Sequence, residues 1–215
     1  MKGLAARASL LNLPRARRSE GPLLAPIRSE IFGHTRFEEH GRSLGVSHRA
    51  ARQGFGQTTF YPRLHDNIRS LREAYRDIAA HATEGHDISP SAEWLFDNFH
   101  LIEDQLREIR EGLPARYYRS LPVLLDEPLN GLPRVYGIAW AFVAHTDSAF
   151  DASLLTLFLN AYQDSRELGQ GELWALPTTL RVVLIENLRR LSDRIAGHRV
   201  ARELASECAS RLDTL

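Results

Sequence analysis

Three carboxylate pairs, Glu93 with Asp97, Glu172 with Glu186 and Asp147 with Asp151, offer the residue types that glycoside cleavage uses as acid and nucleophile. Trp94, Trp140 and Trp174 could stack on sugar rings. Each set also has a plainer reading. Neighbouring acids on an amphipathic helix form a solvated face, Asp151 suits a helix N-cap, and aromatics at helical spacing fill a core. The stretch Gly54-Phe55-Gly56-Gln57-Thr58-Thr59 superficially resembles a phosphate loop, but it lacks the lysine and the preceding strand, and reads as a flexible connector. His34, Glu38 and His40 match no strong metal-ligand spacing, nor do His81, His86 and Asp87; both sets read as exposed histidines at helix ends.

The motifs that are missing narrow the chemistry further. A metal-dependent nucleotide-sugar transferase typically holds its divalent ion with a D-x-D arrangement, which this sequence lacks. Gln163-Asp164-Ser165-Arg166 matches the start of a Q-x-x-R-W element, but Glu167 stands in place of the tryptophan. There is no G-x-S-x-G elbow, and the lone Cys208 has no obvious histidine partner. No residue is therefore assigned a catalytic, cofactor-binding or metal-binding role.

The elements that would position these residues are helices. In 215 residues with 43% hydrophobic content there is room for one substantial core. Lys plus Arg and Asp plus Glu each number 27, so no net imbalance points to nucleic acid or an acidic polymer. Residues 1–60 are rich in Arg, Gly and Pro and read as a poorly structured basic arm. Its one short helix is expected over Pro26 to His40, and its apolar side chains, Leu23 and Leu24 among them, could dock on a core.

From residue 61 to residue 215 the pattern is helical. Leu64, Ile68, Leu71, Tyr75 and Ile78 share one face. Ser89 followed by Pro90 opens a helix whose stripe of Leu95, Phe99, Ile102, Leu106, Ile109 and Leu113 runs to Gly112 and Pro114. A buried apolar helix is expected over Arg134 to His145, and a helix capped by Asp151 over Ala152 to Gln163. The last long segment, Glu172 to Ile195, contains Pro177, which should kink or divide it; a further amphipathic stretch follows Gly197 through Val200, Leu204 and Leu212. The fold class is all-α, a multi-helix bundle or an irregular array of helix pairs.

Three runs carry a resemblance: ISPSAEWLFDNFHLIEDQLREIREGLPARYYRSLP from Ile88 to Pro122, GLPRVYGIAWAFVAHTD from Gly131 to Asp147, and GELWALPTTLRVVLIENLRRL from Gly171 to Leu191. With Ile27 to Phe32 and Arg36 to His40, they make the chain similar to the N-terminal, pre-catalytic region of bacterial cyclic β-1,2-glucan synthases. The resemblance spans roughly Pro26 to Leu215. In that family UDP-glucose is the substrate and Mg the metal, and the transferase and phosphorylase parts lie downstream.

The resemblance implies a fragment of a synthase, or a stand-alone module keeping a scaffold role, with no cofactor of its own and no activity alone. Expected partners are the remainder of a synthase or a second copy of the chain, with no nucleic acid. β-glucan is an alternative ligand. Trp94, Tyr117, Tyr118, Trp174 and Glu172 are the expected glucan or partner contacts, with Tyr117 and Tyr118 on an exposed turn. No apolar run reaches the roughly 20 residues needed to span a bilayer. The expected location is the cytoplasm, or the cytoplasmic face of the inner membrane for a full-length synthase.

Overall fold

Ser89 shows how local chemistry sets the elements. Its hydroxyl accepts the Ala92 amide at 3.3 Å, Pro90 occupies the first helical position, and Glu93 lies in the first turn. The computed structural model describes residue 27 and residues 29–51 and 60–212. Leu23, Leu24 and the Gly54-Phe55-Gly56 connector lie outside the described residues. In chain order the elements are α1 (His34–Ser47), β1 (Ala50–Ala51), α2 (Phe60–Thr83), α3 (Pro90–Asp97), α4 (Phe99–Gly112), α5 (Ala115–Tyr118), β2 (Val123–Leu124), α6 (Arg134–His145), α7 (Ala152–Gln163) and α8 (Gln170–Leu212). The two strands make one short antiparallel pair, Ala50 opposite Leu124 and Ala51 opposite Val123. The fold is all-α.

Helix α6 is the centre of the core. Val135, Tyr136, Ile138, Ala139, Phe142 and Val143 are buried on one side and Gly137, Ala141 and Ala144 on the other, as its weak amphipathicity implies. Helix α8 packs along α6, with α2 and α4 on its other flanks. Tyr61 reaches the Leu113 carbonyl and Arg72 pairs with Glu103, so α2 and α4 run antiparallel. Arg63 to Glu186 and Asn67 to Arg189 set α2 parallel to α8. The expected stripes on α2 and across residues 95 to 113 are the faces these helices bury, with Tyr75 only part-buried and stacked on Phe99 at 4.2 Å.

Four boundaries differ from expectation. The arm's helix runs from His34 to Ser47, not from Pro26 to His40, because Gly41 and Gly45 are contact positions. A Cβ on Gly41 would stand 2.6 Å from the Phe158 carbonyl oxygen, and one on Gly45 2.5 Å from that of Tyr162. Only glycine lets α1 lie this close to α7. The segment after Ser89 divides at Asn98 (φ −100°, ψ 9°), whose side-chain amide donates to the Trp94 carbonyl at 2.8 Å and closes α3.

Pro177, in contrast, does not divide α8. That helix is continuous for 43 residues, about 64 Å at a rise of about 1.5 Å per residue. Its bundle contacts hold the residues up to Ile195. Gly197 does not interrupt it either, and Leu204, expected on an apolar face, is exposed. The side chain of Leu212 lies outside the described residues. No described helix is long and apolar enough to cross a membrane.

Candidate functional site

Of the five expected contact residues, the structure keeps two on the open surface. Trp174 is 70% exposed and Trp94 is 55% exposed, so neither fills the core as helical spacing suggested. They do not form one site. Gly112 packs on Thr178 and Arg181 bonds Gln105, so α4 runs antiparallel to α8 and its start lies well beyond Thr178 along α8. Trp94, just before that start, is separated from Trp174 by on the order of 20 Å of helix.

The other three are tied into the fold. Tyr118 is buried against Phe60, ring centroids 4.1 Å apart, with its hydroxyl 3.3 Å from Thr179 Oγ1; burial raises its pKa. The turn is therefore not an exposed Tyr-Tyr pair. Tyr117 is half-buried and its hydroxyl donates to the Gly171 carbonyl. Glu172 is buried, not a surface acid. It accepts Arg134 Nε at 2.8 Å and the Gly169 amide at 3.0 Å, while Arg134 Nη2 also donates to the Glu167 carbonyl at 3.1 Å. A buried carboxylate holds its charge only with such partners.

Glu186 is committed in the same way. It accepts the Tyr136 hydroxyl at 2.6 Å and Arg63 Nε at 2.9 Å, and pairs with buried Arg190, whose guanidinium stands 4.7 Å over the Trp140 ring. Burial alone would raise its pKa, yet the hydrogen bond and charge of Arg63, with the charge of Arg190, hold it below the ordinary value. The pair Glu172 and Glu186 stands 14 positions apart on one helix, about 21 Å. Glycosidase carboxylates work at about 5–10 Å. Asp151 caps α7, accepting the Ser153 and Leu154 amides at 2.8 and 3.0 Å. Among the described residues no group of three His, Cys, Asp or Glu side chains is placed to hold a metal ion.

One of these buried pairs stands close to a cavity. Arg134, held by Glu172, lies near Tyr162, whose Oη is 3.1 Å from His48 Nδ1. Burial, followed by the charges of Arg134 and Arg166, pulls the His48 pKa down to about 4, so the ring is neutral near pH 7. Burial also pushes the Tyr162 pKa up to about 12.

His48, with Gly137 beside it, lines a pocket of about 660 Å³ between α1, α6 and the loop after β2. A Cβ on Gly137 would meet Leu124 Cδ1 at 2.7 Å and His48 Cε1 at 3.2 Å, so glycine there lets the imidazole reach α6. His40, His145, Asp126, Glu127 and Trp140 complete its polar and aromatic wall. Sequence reasoning left most of this wall unmarked. By sequence His40 is an exposed histidine and Trp140 a core aromatic, while His48, Asp126 and Glu127 carry no motif.

No family model matches the chain. Over 188 residues, 86% of its length, it is 39% identical to the cyclic beta-(1,2)-glucan synthase NdvB of Rhizobium meliloti (strain 1021). The match spans 6% of that protein, so the chain represents a small part of the relative it resembles. The elements described above, from α1 to α8, are thus the fold of a chain related to one region of the cyclic beta-(1,2)-glucan synthase family.

Proposed function

We propose that this chain is the leading, non-catalytic helical region of a cyclic β-1,2-glucan synthase, acting as a structural or docking element for the rest of that enzyme. In this reading UDP-glucose and Mg belong to the transferase part, at which the chain supplies no ligand. The observation that carries it is the use of the interior charges. Glu172 with Arg134, and Glu186 with Tyr136 and Arg63, join helices, Arg190 pairs with Glu186 inside α8, and the two buried carboxylates are too far apart to act on one bond. Such pairs specify how helices sit against each other, which is what a docking surface needs.

The reading is tested by supplying this chain in trans to a synthase from which the matching region has been deleted. Recovery of cyclic glucan, with no glucan from the chain alone given UDP-glucose and Mg²⁺, is expected. Glucan formed by the pure chain would overturn the reading, as would a deleted synthase that works equally well without it.

A further inference from the structure

The pocket between α1, α6 and the loop after β2 has a largely apolar wall, and the chain enters the described structure at one end of that wall. Ile27 lines the pocket and is buried, and its amide donates to Asn187 Oδ1 of α8 at 2.7 Å. The residues after it are held on the end of α6. The Ser29 and Phe32 amides donate to the Ala144 and His145 carbonyls at 2.8 and 3.1 Å, and His145 Nδ1 lies 2.7 Å from the Glu30 carbonyl oxygen. The entry point is therefore fixed and interior. Leu44, Leu129 and Trp140 are only partly buried against the core, which leaves apolar surface in the pocket wall.

Three properties of the residues before Ile27 suit them to this space. The first is reach. Three and four Cα steps put Leu24 within about 11 Å and Leu23 within about 15 Å of Ile27, distances on the order of the pocket's own width. The second is stiffness, since Pro22 and Pro26 restrict the backbone on either side of the two leucines and so lower the entropy lost on seating them. The third is charge. Residues 1–26 hold five bases, Lys2, Arg7, Arg15, Arg17 and Arg18, against one acid, Glu20; with 27 of each in the whole chain, residues 27–215 hold 22 bases and 26 acids. Asp126 and Glu127 stand in the pocket wall, and among the described residues that line it there is no lysine or arginine. A free anion would find no cation there, and a free cation would leave the apolar part of the wall uncovered. A segment with two leucines and arginines close behind them answers to both.

We infer that the pocket is the seat of the chain's own segment 21–26, Gly-Pro-Leu-Leu-Ala-Pro, with Leu23 and Leu24 against Leu44, Leu129 and Trp140 and with Arg17 and Arg18 leading out past Asp126 and Glu127. The basic arm is then a strap that closes α1 and the loop after β2 onto α6. This contact lies within one chain and does not depend on the docking role proposed above.

The test uses the whole chain with its leucine methyl groups labelled with ¹³C. Nuclear Overhauser effects from the Leu23 and Leu24 methyls to the Trp140 ring and to the Leu44 and Leu129 methyls are expected, and a sample mixing labelled with unlabelled chains separates contacts within a chain from contacts between chains. Trp140 is next left as the one tryptophan by Trp94→Phe and Trp174→Phe, both at exposed positions. In that background Leu23→Ser with Leu24→Ser should raise acrylamide quenching of Trp140 at least about twofold, because those two side chains supply most of the apolar area that covers it. Leu10→Ser with Leu11→Ser should leave the quenching unchanged. Circular dichroism identifies any variant that fails to fold, and the Overhauser measurement on the parent stands without them. Leu23 and Leu24 methyls with no contact to the pocket wall would overturn the inference. So would contacts found only between chains, which would make the occupant the segment of a second copy, or quenching of Trp140 that ignores the loss of both leucines.

Discussion

Acid should destabilise this protein through His48, and replacing that residue with Gln should remove the effect. The unfolded histidine titrates near its ordinary value of about 6.5, whereas burial and the charges of Arg134 and Arg166 hold the folded one at about 4. Between those values the unfolded state binds more protons. Stability is therefore complete above about pH 6.5 and falls as the pH drops toward 4. From about pH 8 to about pH 5 the loss covers about 1.5 pH units, or at most about 2 kcal/mol, because solvent screens a partly open ring. Urea unfolding followed by circular dichroism at the two pH values, for the parent and for His48→Gln, isolates this share, since every other group titrates in both. The parent should lose up to about 2 kcal/mol more than the variant. Equal losses, or a His48 ring signal titrating near 6.5, would refute the reasoning that the ring is buried neutral beneath Tyr162.

Three further perturbations probe the packing. Glu186→Ala leaves Arg190 buried without its carboxylate and should cost about 3–5 kcal/mol in chemical denaturation, against a near-neutral effect for Trp174→Ser at an exposed position. Gly45→Ala should lower stability by about 1–3 kcal/mol despite the gain in helix propensity, because the new Cβ meets the Tyr162 carbonyl oxygen. Gly197→Ala, with open space around it, should have the opposite sign by up to about 1 kcal/mol. Asp151→Ala removes the cap on α7 and should lower the melting temperature through a loss of about 1 kcal/mol, with Asp151→Asn retaining most of it.

Features whose causes are local could be read from the sequence. Ser89 and Asp151 bond amides within three residues of themselves, and the stripes on α2 and α4 follow from helical spacing, so these elements stand where expected. Features whose causes lie across the fold could not. Gly41 and Gly45 carry no signal in the sequence until α7 is placed against them, more than 100 residues further on. Glu172 looks like a solvated acid until Arg134, 38 residues away in sequence, is brought beside it. Asn98 was hidden because the apolar stripe continues across the break it makes. Trp94 and Trp174 sit in helices with an apolar face but on the opposite side, which a composition-based preference for burial misses. The pocket was the least legible feature, since His48 in its wall meets a tyrosine 114 residues away.

In the proposed function these helices dock on a larger synthase, with the chemistry carried by the other part. It is tested most directly by measuring the affinity of the purified chain for the purified remainder of a cyclic β-1,2-glucan synthase, with glucan synthesis followed in the same samples. A one-to-one complex is predicted, with synthesis from UDP-glucose arising only when both parts are present. Synthesis by this chain alone, or a remainder that is fully active and shows no affinity for it, would contradict the account.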